Sequence, residues 1–144
     1  MDELVRWLGE QLDEDERIAR AAGGRSEQEW AADLSGKDPA GMSSWPVVVR
    51  YVTDGRLRGA VANLPVMQER SEDRMVHIAA HDPARVLREI DARRAIVDDL
   101  AEEIRWGARK GLDYQAGVAA CERTLKRLAL PYADRPGFRE EWRP

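Results

Sequence analysis

Leu4, Leu8 and Leu12 recur every four residues and Ala19 continues their stripe, whereas Glu10, Glu14 and Arg17 fall between them. On a helix of 3.6 residues per turn that spacing collects the apolar groups on one side and leaves the other to water. The opening segment therefore predicts an amphipathic helix that stops after Ala22, because Gly23 and Gly24 favour other backbone conformations. No period persists from there to Ser44; Gly36, Pro39 and Gly41 argue for irregular chain, with a short turn capped by Ser26 and Glu29 and with Trp30 and Trp45 as loop anchors.

The pattern then changes. PVVVRYV and RLRGAV flank Asp54-Gly55, a pair suited to a tight reversal, so a hairpin is predicted at about 46–61, with Val47, Val49, Tyr51, Leu57 and Val61 as candidate apolar contacts. Two strands are marginal alone, and one face of the hairpin should cover a helix. Met67 to Ala80 predicts a helix, followed by Asp82 as a cap and Pro83 at the first position of the next one. Val86, Ile90, Val97, Leu100 and Ile104 mark that next helix as the long central one. Arg85 with Glu89, Glu89 with Arg93 and Arg94 with Asp98 are spaced for modest exposed pairing along it. Gly107 and Gly111 predict a break before a last stripe of Val118, Cys121, Leu125 and Leu128, and Pro131 closes that helix. The expected architecture is mainly α: a compact bundle of three to four helices with a small antiparallel β-hairpin, in one domain spanning 1–144, with a packed extension at about 131–144.

Charge and composition narrow the function classes. A net charge of -4 gives no overall attraction to phosphate backbones, and Arg50, Arg56 and Arg58 lack an interleaved stacking pattern, which disfavours nucleic-acid binding. No segment is apolar enough to span a bilayer, the acidic start lacks a signal-peptide pattern, and a single cysteine excludes an intrachain disulfide; a cytoplasmic location is expected. Cys121 sits on an apolar stripe and reads as core rather than nucleophile.

Two groups of residues carry candidate chemistry. His77 and His81, the only histidines, stand four apart, a spacing that lets two imidazoles share one helix face and bind a divalent metal such as Zn or Mn. Asp82 and Asp13 are the candidate completing ligands, with Asp15 and Glu89 behind them. Whether the imidazoles converge depends on whether the first helix persists to His81. No Glu follows His77, so the zinc-protease pattern is absent. The acidic runs Asp13-Glu14-Asp15-Glu16 and Asp98 to Glu103 fit solvated helix faces better than a Mg²⁺ site. The second group is Tyr132, Phe138 and Trp142, aromatic anchors that either return the tail to the core or grip another subunit, folding back being the simpler reading.

LDEDERIARAAGG, HIAAHDPARVLREIDARRAIVDDL and LALPYADRPGFREEW together resemble a small uncharacterised family common in Streptomyces and related actinobacteria. The resemblance covers nearly the whole chain, rests on Asp13-Glu14-Asp15, His77, His81 to Arg85 and Pro131 to Asp134, and brings no activity, substrate or cofactor with it. The leading functional expectation is a helical protein-interaction or regulatory module, which needs no cofactor and forms a homodimer or meets another protein. The alternative is a metal-dependent hydrolase built on the His77/His81 region.

Overall fold

A computed structural model describes residues 1–23, 29–33, 47–64 and 71–144. Four α-helices dominate those residues: α1 (Asp2–Gly23), α2 (Ser71–Ala80), α3 (Pro83–Ala108) and α4 (Gln115–Ala129). A three-stranded antiparallel sheet of β1 (Glu29–Asp33), β2 (Val47–Thr53) and β3 (Arg56–Leu64) accompanies them, in the order β1-β2-β3. The protein is mainly α, as its periodicity predicts. By its internal contacts the chain divides into two units, Met1–Arg17 with Glu89–Pro144, and Ile18–Arg88.

In the first unit α1 buries its predicted stripe: Leu4, Leu8 and Leu12 are each 1% exposed, and Trp7 joins them. Full burial of a leucine is worth roughly 1.5–3 kcal/mol against leaving it in water. Ile90, Val97 and Ala101 supply the buried side of α3, and Leu125 and Ala129 that of α4. Of the other residues expected on these stripes, Leu100, Ile104, Val118, Cys121 and Leu128 are only partly buried. Gly107 departs from expectation, since α3 continues through it to Ala108. A Cβ there would lie 2.5 Å from Val118 Cγ2, so glycine serves the close approach of α4 and the break falls at Gly111, whose φ is 92°. A single 3₁₀ turn, Leu112–Tyr114, then leads into α4 three residues ahead of Val118.

The tail folds back on α1. Trp7 meets Phe138 and Trp142 at ring-centroid distances of 5.7 and 5.1 Å, and its Nε1–H donates to the Pro136 carbonyl at 3.1 Å. Gly137 (φ 86°) allows this docking, because a Cβ at that position would lie 2.9 Å from Trp7 Nε1. Tyr132 and Trp142 are buried, Lys126 Nζ donates to the Glu141 carbonyl at 2.8 Å, and Arg139 pairs with Glu3.

In the second unit the Asp54-Gly55 reversal forms as predicted, with both residues at positive φ (52° and 68°), the conformation a two-residue hairpin turn requires. The hairpin is part of a larger sheet: Trp30 pairs with Tyr51 and Ala32 with Val49 along β1, a segment that sequence alone leaves irregular. EWAAD is short, and its alternation rests on Trp30 and Ala32 only, so the partner strand rather than local pattern makes it a strand. Trp30 is therefore a strand residue packed, with Ala32, Ala62 and Ile78, against the buried cluster of Val49, Met75 and Ala79. The core face of β3 is the one carrying Ala62, which leaves Leu57 and Val61 exposed instead of buried. Arg50 Nε donates to Asp33 Oδ2 at 2.8 Å and its Nη1 to the Arg58 carbonyl at 3.2 Å, so this arginine is engaged within the sheet. The expected Ser26 cap, the Trp45 anchor, the side chains of Val47 and Tyr51, and the beginning of the helix expected from Met67 lie outside the described residues.

Candidate functional site

Helix α2 ends at Ala80, and His81 N donates to the Ile78 carbonyl at 3.1 Å in a closing turn. The helical path persists far enough to bring the imidazoles together, with centroids 4.3 Å apart and planes tilted by 47°. His81 Nδ1–H donates to the His77 carbonyl at 2.8 Å. A carbonyl only accepts, so this bond places a proton on Nδ1 and leaves the Nε2 position of a neutral ring as the one with a free lone pair. Both histidines are exposed.

Asp82 is adjacent but serves a different purpose. It is 7% exposed, and its Oδ1 accepts the Arg85 backbone N–H at 2.6 Å, which makes it the cap predicted for α3. The Val86 N–H bonds the Asp82 carbonyl at 3.0 Å, and Arg85 Nη1 donates to the Ala80 carbonyl at 2.8 Å, so the α2–α3 junction is held from both sides. Asp13 belongs to the other unit, where its Oδ1 accepts from Arg94 Nη2 at 2.6 Å. Among the described residues no group of three or more His, Cys, Asp and Glu is arranged to hold a metal ion.

The acidic run of α1 is instead matched by arginines. Arg94 reaches both Asp13 and Glu16, while Asp15 accepts from Arg135 Nη2 at 2.5 Å and from the Tyr132 hydroxyl at 2.9 Å. Arg93 Nη1 in turn donates to the Tyr132 oxygen at 3.3 Å. Burial, and then the hydrogen bond to Asp15, push the Tyr132 phenol above its ordinary value, because both penalise a phenolate at this position. The guanidinium groups of Arg94 and Arg135 are raised, chiefly by their bonds to Glu16 and Asp15. This network joins α1, α3 and the tail; it is structural in character, and Arg94, spaced for Asp98 on its own helix, reaches Asp13 and Glu16 of α1.

Tyr132, Phe138 and Trp142, the aromatic residues expected to anchor the tail or a partner, are packed within the chain. A different aromatic group faces outward at the α3–α4 turn. Trp106 and Tyr114 meet edge to face at 4.9 Å and are 43% and 41% exposed, and Leu112 between them is 88% exposed. Lys110 Nζ lies 5.1 Å from the Trp106 ring centroid, and Arg105 and Arg109 are exposed nearby in sequence. Sequence reasoning misses this group because Trp106 falls off the buried stripe and Leu112 lies within the predicted break. The available signal was a large apolar residue set between Gly111 and Asp113 in a turn, where nothing local buries it.

Among the described residues, the fold and these groups define a mainly helical protein with a surface imidazole pair and an exposed aromatic turn. A family model described as a family of unknown function (DUF6221) matches residues 1–144, and the chain belongs to that family. Searches of curated proteins and of solved structures gave no match. Among the described residues no helix is long and apolar enough to cross a membrane.

Proposed function

We propose that the protein is an interaction module that recognises a second copy of itself through the α3–α4 turn. The observation carrying this reading is the outward group of Trp106, Leu112 and Tyr114, with Leu112 88% exposed. Tryptophan and tyrosine set among arginines is the chemistry of interface anchors: large apolar area ringed by directional charge. Electrostatics favours a second copy as the partner. Arg105, Arg109 and Lys110 form an exposed basic rim, and the exposed acids Asp98, Asp99, Glu102 and Glu103 occupy the preceding turns of the same helix. Two copies of this segment set antiparallel about a two-fold axis place the acids of one beside the bases of the other, as an isologous contact requires.

Sedimentation velocity across a wide concentration range tests the proposal. A concentration-dependent dimer is expected, and Leu112→Asp or Trp106→Ala should convert it to monomer while leaving the helical circular-dichroism signal intact. A wild-type protein that stays monomeric at every concentration, or a dimer indifferent to both substitutions, would overturn it.

A further inference from the structure

We infer that His77 and His81 form a two-imidazole chelate for a borderline transition-metal ion such as Zn²⁺ or Ni²⁺, seated at the end of α2. The inference is independent of the interaction surface, which belongs to the other unit of the chain.

Three observations support it. First, the spacing is right: two histidines four residues apart on one helical face are a recurrent bidentate metal grip, and here the rings already lie 4.3 Å apart. Zinc–nitrogen bonds of about 2.0–2.1 Å require centroids roughly 5 Å apart. Exposed rings reach that separation by a small χ adjustment.

Second, the orienting hydrogen bond is in place. Metal-bound histidines nearly always donate their other ring N–H to a carbonyl or carboxylate, which fixes tautomer and direction. His81 makes that bond to the His77 carbonyl, so the nitrogen left to bind is Nε2.

Third, the setting suits a cation. Both residues are at or just beyond the last turn of α2, where the negative end of the helix dipole favours positive charge. Exposure keeps the desolvation cost of the ion small. The junction beneath is anchored by the Asp82 cap, which limits what must be ordered on binding.

Imidazole donors select Zn²⁺, Ni²⁺ or Cu²⁺ over Mg²⁺, Ca²⁺ or Mn²⁺, which prefer oxygen ligands. With two protein donors the remaining positions belong to water or to a donor from another molecule. The site is thus an exchangeable one rather than a closed structural centre.

Isothermal titration of the full chain with Zn²⁺ and with Ni²⁺, in a non-chelating buffer, tests the assignment. One ion per chain is expected. His77→Ala and His81→Ala should each weaken binding about tenfold or more, since loss of even an outer-shell partner commonly costs ~10–100-fold. Asp82→Asn, which retains the capping oxygen, should bind as the wild type does. Melting temperature should rise with metal concentration in the wild type and in Asp82→Asn, and stay flat in the two alanine variants. Absence of saturable binding, binding unchanged by both alanine variants, loss with only one of them, or loss with Asp82→Asn would each overturn the two-imidazole chelate. Because both histidines are exposed, metal-free melting of the alanine variants should match the wild type and so excludes misfolding as the cause.

Discussion

Tyr132 shows how one side chain links separate parts of the first unit. Its hydroxyl donates to Asp15 of α1 and accepts from Arg93 of α3, and its ring lies 4.7 Å from the Arg135 guanidinium carbon. Tyr132→Phe keeps the ring and removes the charged hydrogen bond, for an expected loss of about 1.5–3 kcal/mol in urea unfolding. The pH dependence follows from the raised phenol. Below the ordinary value of 10.0 both folded and unfolded chains hold the proton and the contribution is complete. As pH climbs from there towards the higher folded value the unfolded chain releases its proton first, so stability falls. The wild type should lose more stability than Tyr132→Phe over that alkaline window, and phenolate absorbance should show one tyrosine titrating late. The wiring of Tyr132 was hidden in the sequence. DEDE is recognisable as acidic, but an arginine 78 to 120 residues away is paired with it only by the fold.

At the level of elements, the close crossing of α3 and α4 rests on Gly107. Glycine to alanine in a helix interior normally gains about 1 kcal/mol from propensity. Here the added methyl would stand 2.5 Å from Val118 Cγ2, so the clash decides the sign, and Gly107→Ala should destabilise by roughly 1–3 kcal/mol. The double variant Gly107→Ala/Val118→Ala should recover part of that loss, a coupling that chemical denaturation measures directly. Periodicity locates α1, α3 and α4, since Leu4, Leu8, Leu12, Ile90, Val97 and Leu125 are buried where their spacing puts them. It failed for β1, whose strand state depends on pairing with β2, and for the role of Gly107, because a glycine in sequence reads alike whether it ends a helix or admits a neighbour. The histidine pair was readable as a spacing. Its convergence, and the Nδ1–H bond that orients it, depended on whether α2 keeps its path to His81.

For the whole molecule, the formal charge of -4 conceals a local reversal. The basic rim near Trp106 is expected to make self-association weaken as salt rises, because attraction between exposed charges is screened within about 8–10 Å at ordinary ionic strength. Sedimentation in increasing sodium chloride checks this; dimerisation unaffected by salt would assign the contact to Trp106, Leu112 and Tyr114 alone. Affiliation with a family of unknown function places the surface and the imidazole pair, rather than an inherited activity, at the centre of experiment.

The division of the chain also bears on its synthesis. Ile18–Arg88 is one continuous stretch, whereas the other unit is assembled from both flanks, Met1–Arg17 and Glu89–Pro144. Trp7 cannot meet the Pro136 carbonyl until 129 further residues have been added, which at ~5–20 residues per second takes roughly 6–26 s. Once Arg88 has been added the inner stretch has all of its own chain, while the leucine stripe of α1 still lacks the α4 and tail residues that share its unit. During synthesis the middle stretch is therefore expected to complete its contacts first and the apolar stripe of α1 to wait for its partners, a natural client for chaperones that bind apolar helices early.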